Sequence, residues 1–91
     1  MSAQFLHISL NFKQQIDQEA LKKVFDKALD WAHYMPNCWI VYTSSDVNKW
    51  YERLQPFAGS HDSILIVKID PTMKHGKLYR WVWDWLNKTR V

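Results

Sequence analysis

The sequence predicts an α+β domain: antiparallel strands forming one sheet, helices packed against it, and a tryptophan-rich helix to close. Two observations carry this. Gln4 to Phe12 alternates with period two, Leu6, Ile8, Leu10 and Phe12 sharing one face and Phe5, His7, Ser9 and Asn11 the other. Two later stretches, Leu21-Val24-Phe25-Ala28-Leu29 and Val47-Trp50-Tyr51-Leu54, repeat apolar residues at helical spacing. Strands and helices in one short chain point to helices laid on a small sheet.

Each element has a local reason. The first strand turns its aliphatic side to a core. Asp17 then offers a helix N-cap with Glu19 in the first turn, where a negative charge faces the positive end of the helix dipole. Asp30 to Thr43 reads in two ways. The helix either continues through Trp31 and Ala32 to stop before Pro36, or Trp31 to Met35 and Cys38 to Thr43 form two strands joined at the turn-forming pair Pro36-Asn37. Cys38 to Thr43 is strand-like either way, being rich in β-branched and aromatic residues. Ser44, Ser45 and Asp46 supply the next helix cap, and Pro56 follows that helix's end. After the polar loop Ala58 to Asp62, Ile64 to Ile69 is a strand with apolar residues on both faces, and Pro71 to Gly76 is loop. In the tail a strand would put Trp81, Trp83 and Trp85 on one face. A helix lines up Leu78, Trp81, Val82 and Trp85 with Trp83 at the side, and that complete stripe favours the helix.

Ninety-one residues, 47% of them hydrophobic and with only two glycines and three prolines, predict a single domain over residues 1–91 without long linkers. One cysteine, Cys38, excludes an internal disulfide framework. The start has no basic region before its apolar residues, and no apolar run nears the ~20 residues that span a bilayer. A cytoplasmic location without membrane contact is the expectation.

The residues His33-Tyr34 and Cys38-Trp39-Ile40-Val41-Tyr42-Thr43, together with Arg53-Leu54-Gln55-Pro56, Asp62-Ser63-Ile64-Leu65-Ile66-Val67 and Asp84-Trp85-Leu86, carry a resemblance. The chain resembles short bacterial proteins labelled SinR-like, related in fold to the CRISPR-associated spacer-acquisition scaffold group. That resemblance implies a ferredoxin-like βαββαβ antiparallel sheet, with Trp31 to Met35 as second strand, and pairing as homodimers. Nuclease-competent members carry an acidic residue near the end of the first strand. The matching position here is Asn11, whose neutral amide leaves a magnesium ion short of the carboxylate it usually needs.

No other catalytic motif stands out. The four histidines are scattered, the two glycines are far apart, and no spacing suits zinc. No metal or cofactor is expected. His7 and His33 are the candidates for a metal-free acid/base pair, the alternative reading being a small endoribonuclease of toxin or defence type.

Two surface features point instead to binding. With Leu6, Ile8 and Leu10 alongside Leu65, Val67 and Ile69 toward the helices, Phe5, Ile64 and Ile66 would make the second face apolar, joined by Trp39/Val41 or Ile40/Tyr42. A homodimer covering Phe5, Ile64 and Ile66 would resolve that exposure; RNA bases stacked on the same face are the rival occupant. The second feature is charge. Five of twelve Lys/Arg but one of nine Asp/Glu lie between Lys74 and Val91, among three of the six tryptophans. Lys74, Lys77, Arg80, Lys88 and Arg90 with Trp83 at their edge form a candidate RNA- or DNA-binding patch. The bland alternative is a closing helix whose cations are simply solvated.

Overall fold

The computed structural model describes residues 2–90. The alternating first segment forms β1 (Gln4–Asn11), with Leu6, Ile8 and Leu10 buried. α1 (Gln18–Phe25) starts at Asp17, whose Oδ1 accepts the backbone N–H groups of Glu19 and Ala20 at 3.1 and 3.2 Å. That satisfies two of the donors every helix start leaves open. α1 stops sooner than its apolar spacing predicts. Leu29 is exposed, and its N–H donates to the Tyr42 carbonyl, because the chain is already turning into β2 (Asp30–Met35). β2 and β3 (Cys38–Thr43) are the hairpin over Pro36-Asn37.

α2 (Val47–Leu54) begins at Asp46, whose Oδ1 accepts the Lys49 N–H at 2.9 Å. It buries Trp50 and Leu54, whereas Tyr51, expected in the buried stripe, faces solvent. A 3-10 turn (Gln55–Phe57) holding Pro56 ends the helix; β4 (Ser63–Ile69) and α3 (Arg80–Asn87) complete the chain. The element order is therefore βαββαβ followed by a third helix. Strands lie in the order β2-β3-β1-β4, each pair of neighbours antiparallel, so β3 and β1 are central.

The two faces of this sheet carry two cores. On the first, Leu6, Ile8, Leu10, Trp39 and Val41 meet Leu21 and Phe25 of α1 and Trp50 and Leu54 of α2. Each such aliphatic side chain, once buried, contributes roughly 1.5–3 kcal/mol. Phe25 stacks on Trp39 with centroids 4.9 Å apart, and the buried Trp50 indole N–H donates to Thr43 Oγ1 at 3.1 Å, leaving no unpaired donor there. On the second face, Ile40 meets Val82 and Leu86 of α3, with Phe5, Tyr34, Ile69, Leu78, Trp83 and Trp85 packed around them.

The second face corrects three expectations. Directly opposed residues share a face, and Ile8 pairs with Ile66 and Leu10 with Ile64. Ile64 and Ile66 therefore pack on the helical core, while Leu65 and Val67 lie on the second face and are exposed. The expected dimer surface of Phe5, Ile64 and Ile66 is thus not one surface. Much of the second face is covered by the chain's own α3, Phe5 included. Finally, α3 is rolled about its axis relative to the predicted stripe: Val82 and Leu86 are buried, Trp83 is half-buried, and Trp81 faces out.

Candidate functional site

The segment leading into α3 and the half of the sheet that α3 leaves bare make up the candidate site. α3 is held at its far end by a charge cluster. Arg90, with 9% of its side chain exposed, donates through Nη2 to the Trp85 carbonyl at 2.8 Å and to Asp30 Oδ2 at 3.3 Å. Its guanidinium lies over the rings of Trp85, Phe5 and Tyr42, at 4.4, 5.1 and 5.3 Å from their centroids. Lys88 reaches the same carboxylate at 3.4 Å. Burial pushes the Asp30 carboxyl up, but the Trp85 indole, the Lys88 charge and the Trp31 backbone N–H outweigh it, and the net shift is downward. The Trp85 indole N–H is buried and stays outside full hydrogen-bond geometry.

These contacts divide the predicted basic patch. Arg90 and Lys88 are occupied in fastening α3 to β2, so neither is a free phosphate contact; Arg90 in particular is a buried structural cation. Lys74 Nζ donates to the Pro71 carbonyl at 2.6 Å. Lys77 and Arg80 are exposed and make no ion pair among the described residues. Trp83, expected as the stacking surface, packs against the second core instead. In this segment the rings the core does not use are Tyr79, 76% exposed, and Trp81, 49% exposed. The sequence places Trp81 in the buried stripe and gives Tyr79 no role; the structure turns both outward. Their signal was adjacency to Lys77 and Arg80 at the helix entry, where a side chain can project without facing the sheet.

The predicted histidine pair does not form. His7 is opposite Ile40 and lies on the second face, whereas His33 is opposite Trp39 and lies on the first. His33 stacks on Trp39 with centroids 4.0 Å apart, and its Nε2 contacts the Pro36 carbonyl at 3.1 Å. The two rings cannot serve one phosphodiester together. His7 Nε2 instead shares a hydrogen bond with the Tyr34 hydroxyl. Burial lowers the His7 pKa and raises that of Tyr34, with Cys38 adding to the latter, so burial favours the uncharged form of both groups. A neutral imidazole can accept the Tyr34 O–H. Asn11 is exposed at the end of β1 opposite Ser63. Among the described residues no three His, Cys, Asp or Glu side chains gather as metal ligands, and no helix is long and apolar enough to cross a membrane.

No protein-family model, curated protein or solved structure gives a significant match to this chain.

Proposed function

We propose that this chain is a small binding domain that holds single-stranded nucleic acid on the segment entering α3. The observation that carries the reading is the pair of exposed rings, Tyr79 and Trp81, beside the unpaired cations Lys77 and Arg80. Exposed rings accept stacked bases, at about 1–3 kcal/mol per base, and neighbouring cations release counterions from phosphates. Fluorescence anisotropy with labelled single-stranded RNA and DNA over a salt series tests it. Trp81→Ala is expected to weaken binding by about 1–3 kcal/mol without loss of fold, since that ring is half in water. Replacing Lys77 and Arg80 by Ala should flatten the salt dependence. Affinity indifferent to both sets of changes would remove this reading. Metal-free cleavage by an endoribonuclease finds less support, because it needs an acid and a base flanking one phosphate and His33 is across the sheet from His7.

We further propose that two copies associate through the bare side of the sheet. Leu65, 59% exposed, and Val67 stand there on β4, an edge strand whose outer hydrogen-bonding groups meet no other strand among the described residues. An apolar edge of this kind invites a self-complementary partner. Light scattering on a dilution series should show dimers at about tens of micromolar, reduced to monomers by Leu65→Asp. A wild-type chain that stays monomeric at that concentration would end the proposal.

A further inference from the structure

We infer that the cleft between the end of β2 and the entry to α3 is a nucleobase pocket, which takes one base of a single strand while Lys77 meets its phosphate. This rests on the nucleic-acid reading above and gives it a specific place. The cleft is lined by Tyr34 and Met35 on one side and by Lys77, Leu78 and Tyr79 on the other, and is an open groove of about 400 Å³. Its walls are mostly apolar, with one ammonium among them and no acidic side chain. An aromatic ring with an attached anion matches that lining: the faces of the base meet rings and thioether, and the phosphate meets the cation.

The backbone builds this wall deliberately. Strict alternation would send Tyr34 and Met35 to opposite faces of the sheet. The ladder slips between His33 and Met35, so Met35 comes to lie opposite Cys38 while His33 stays opposite Trp39. Partners across the ladder share a face, and Cys38 is one step from Trp39. The bulge therefore returns Met35 to the second face, next to Tyr34, the re-aiming for which bulges are used. Both side chains then line the same cleft.

The two walls differ in freedom. Tyr34 is fixed from behind, its hydroxyl bonded to His7 and its ring edge-on to the imidazole with centroids 5.7 Å apart. Tyr79 makes no ring stack, cation contact or side-chain hydrogen bond among the described residues, and it is largely in water. One ordered wall lowers the entropic cost of binding, and the free ring can settle on the other face of the base.

The test compares a labelled uridine-rich RNA dodecamer with an abasic phosphodiester strand of equal length and charge, for wild type, Tyr79→Ala, Met35→Ala and Lys77→Ala. Both Tyr79 and Met35 are exposed, and thermal melts of each variant confirm that the fold is kept. The expected result is that Tyr79→Ala and Met35→Ala each weaken the RNA complex about tenfold and leave the abasic complex unchanged. Lys77→Ala should weaken both. RNA binding that ignores Tyr79→Ala and Met35→Ala would assign the cleft to something other than a base, such as a protein side chain, and overturn the pocket while the surrounding basic surface stands. The pocket is equally overturned if those two variants weaken both strands alike. Failure of the wild type to bind either strand would overturn the nucleic-acid reading and the pocket together.

Discussion

Ile8→Asp is expected to abolish the cooperative unfolding transition of this domain. Ile8 is fully buried between Leu6 and Leu10 on the helical face of the central strand, within reach of both helices' apolar side chains. The change removes roughly 1.5–3 kcal/mol of aliphatic burial and adds several kcal/mol for an unpaired carboxylate out of water. A domain of this length holds only about 5–14 kcal/mol in total, so the mutant should lack near-UV circular dichroism and a sigmoidal melt. Leu65→Asp is the control. At about 1 μM protein, well below the range of the proposed dimer, the same charge on the exposed side of β4 should leave the melting temperature within a few degrees of wild type. Equal tolerance of both substitutions would contradict the assignment of the two faces.

The second large effect is expected at Asp30. Arg90 is nearly inaccessible to water, and the Asp30 carboxylate is the only acid paired with it among the described residues. Asp30→Asn removes the countercharge and leaves the guanidinium buried, which should cost about 3 kcal/mol in denaturant unfolding at pH 7. The pH dependence has a definite sign. The folded state lowers the Asp30 pKa, so ionised Asp30 stabilises the fold at every pH above the ordinary carboxylate value of roughly 4. That contribution disappears as pH falls through the lowered folded value. Wild type and Asp30→Asn should therefore differ most near neutrality and converge in strong acid. A double-mutant cycle with Arg90→Ala isolates the pair. Equal stability of wild type and Asp30→Asn at pH 7 would show that α3 is fastened by apolar packing alone.

Where the apolar pattern is one-sided, the structure could be read in advance. β1 offers aliphatic residues on one face and His7, Ser9 and Asn11 on the other, so its orientation follows from alternation. Asp17 and Asp46 mark helix starts because few other residue types satisfy free backbone donors there. β4 has no such asymmetry: Ile64, Leu65, Ile66 and Val67 are consecutive and apolar, and only its register against β1 decides that Ile64 and Ile66 turn inward. In α3 the run Trp81-Val82-Trp83-Asp84-Trp85-Leu86 contains two overlapping stripes. The structure buries Val82 and Leu86, and just beyond the helix Arg90 meets Asp30, a contact across sixty positions of sequence that no local pattern encodes. The same long-range contact removed Arg90 from the predicted binding patch. The cleft was hidden for a related reason, since a one-residue slip in a hairpin ladder leaves no trace in composition.

The strand order also has a kinetic consequence. The β2–β3 hairpin joins neighbours in sequence and can form locally, on the microsecond scale of about 1–10 μs typical of such turns. β1 has no local partner: its residues pair with β3 and, more than fifty positions further on, with β4, as in Phe5 opposite Ile69. Closing those long loops must precede the reward of pairing, which slows folding relative to helical domains of similar size. During synthesis, β1 therefore waits, unpaired on its β4 side, until the chain has been made through Ile69.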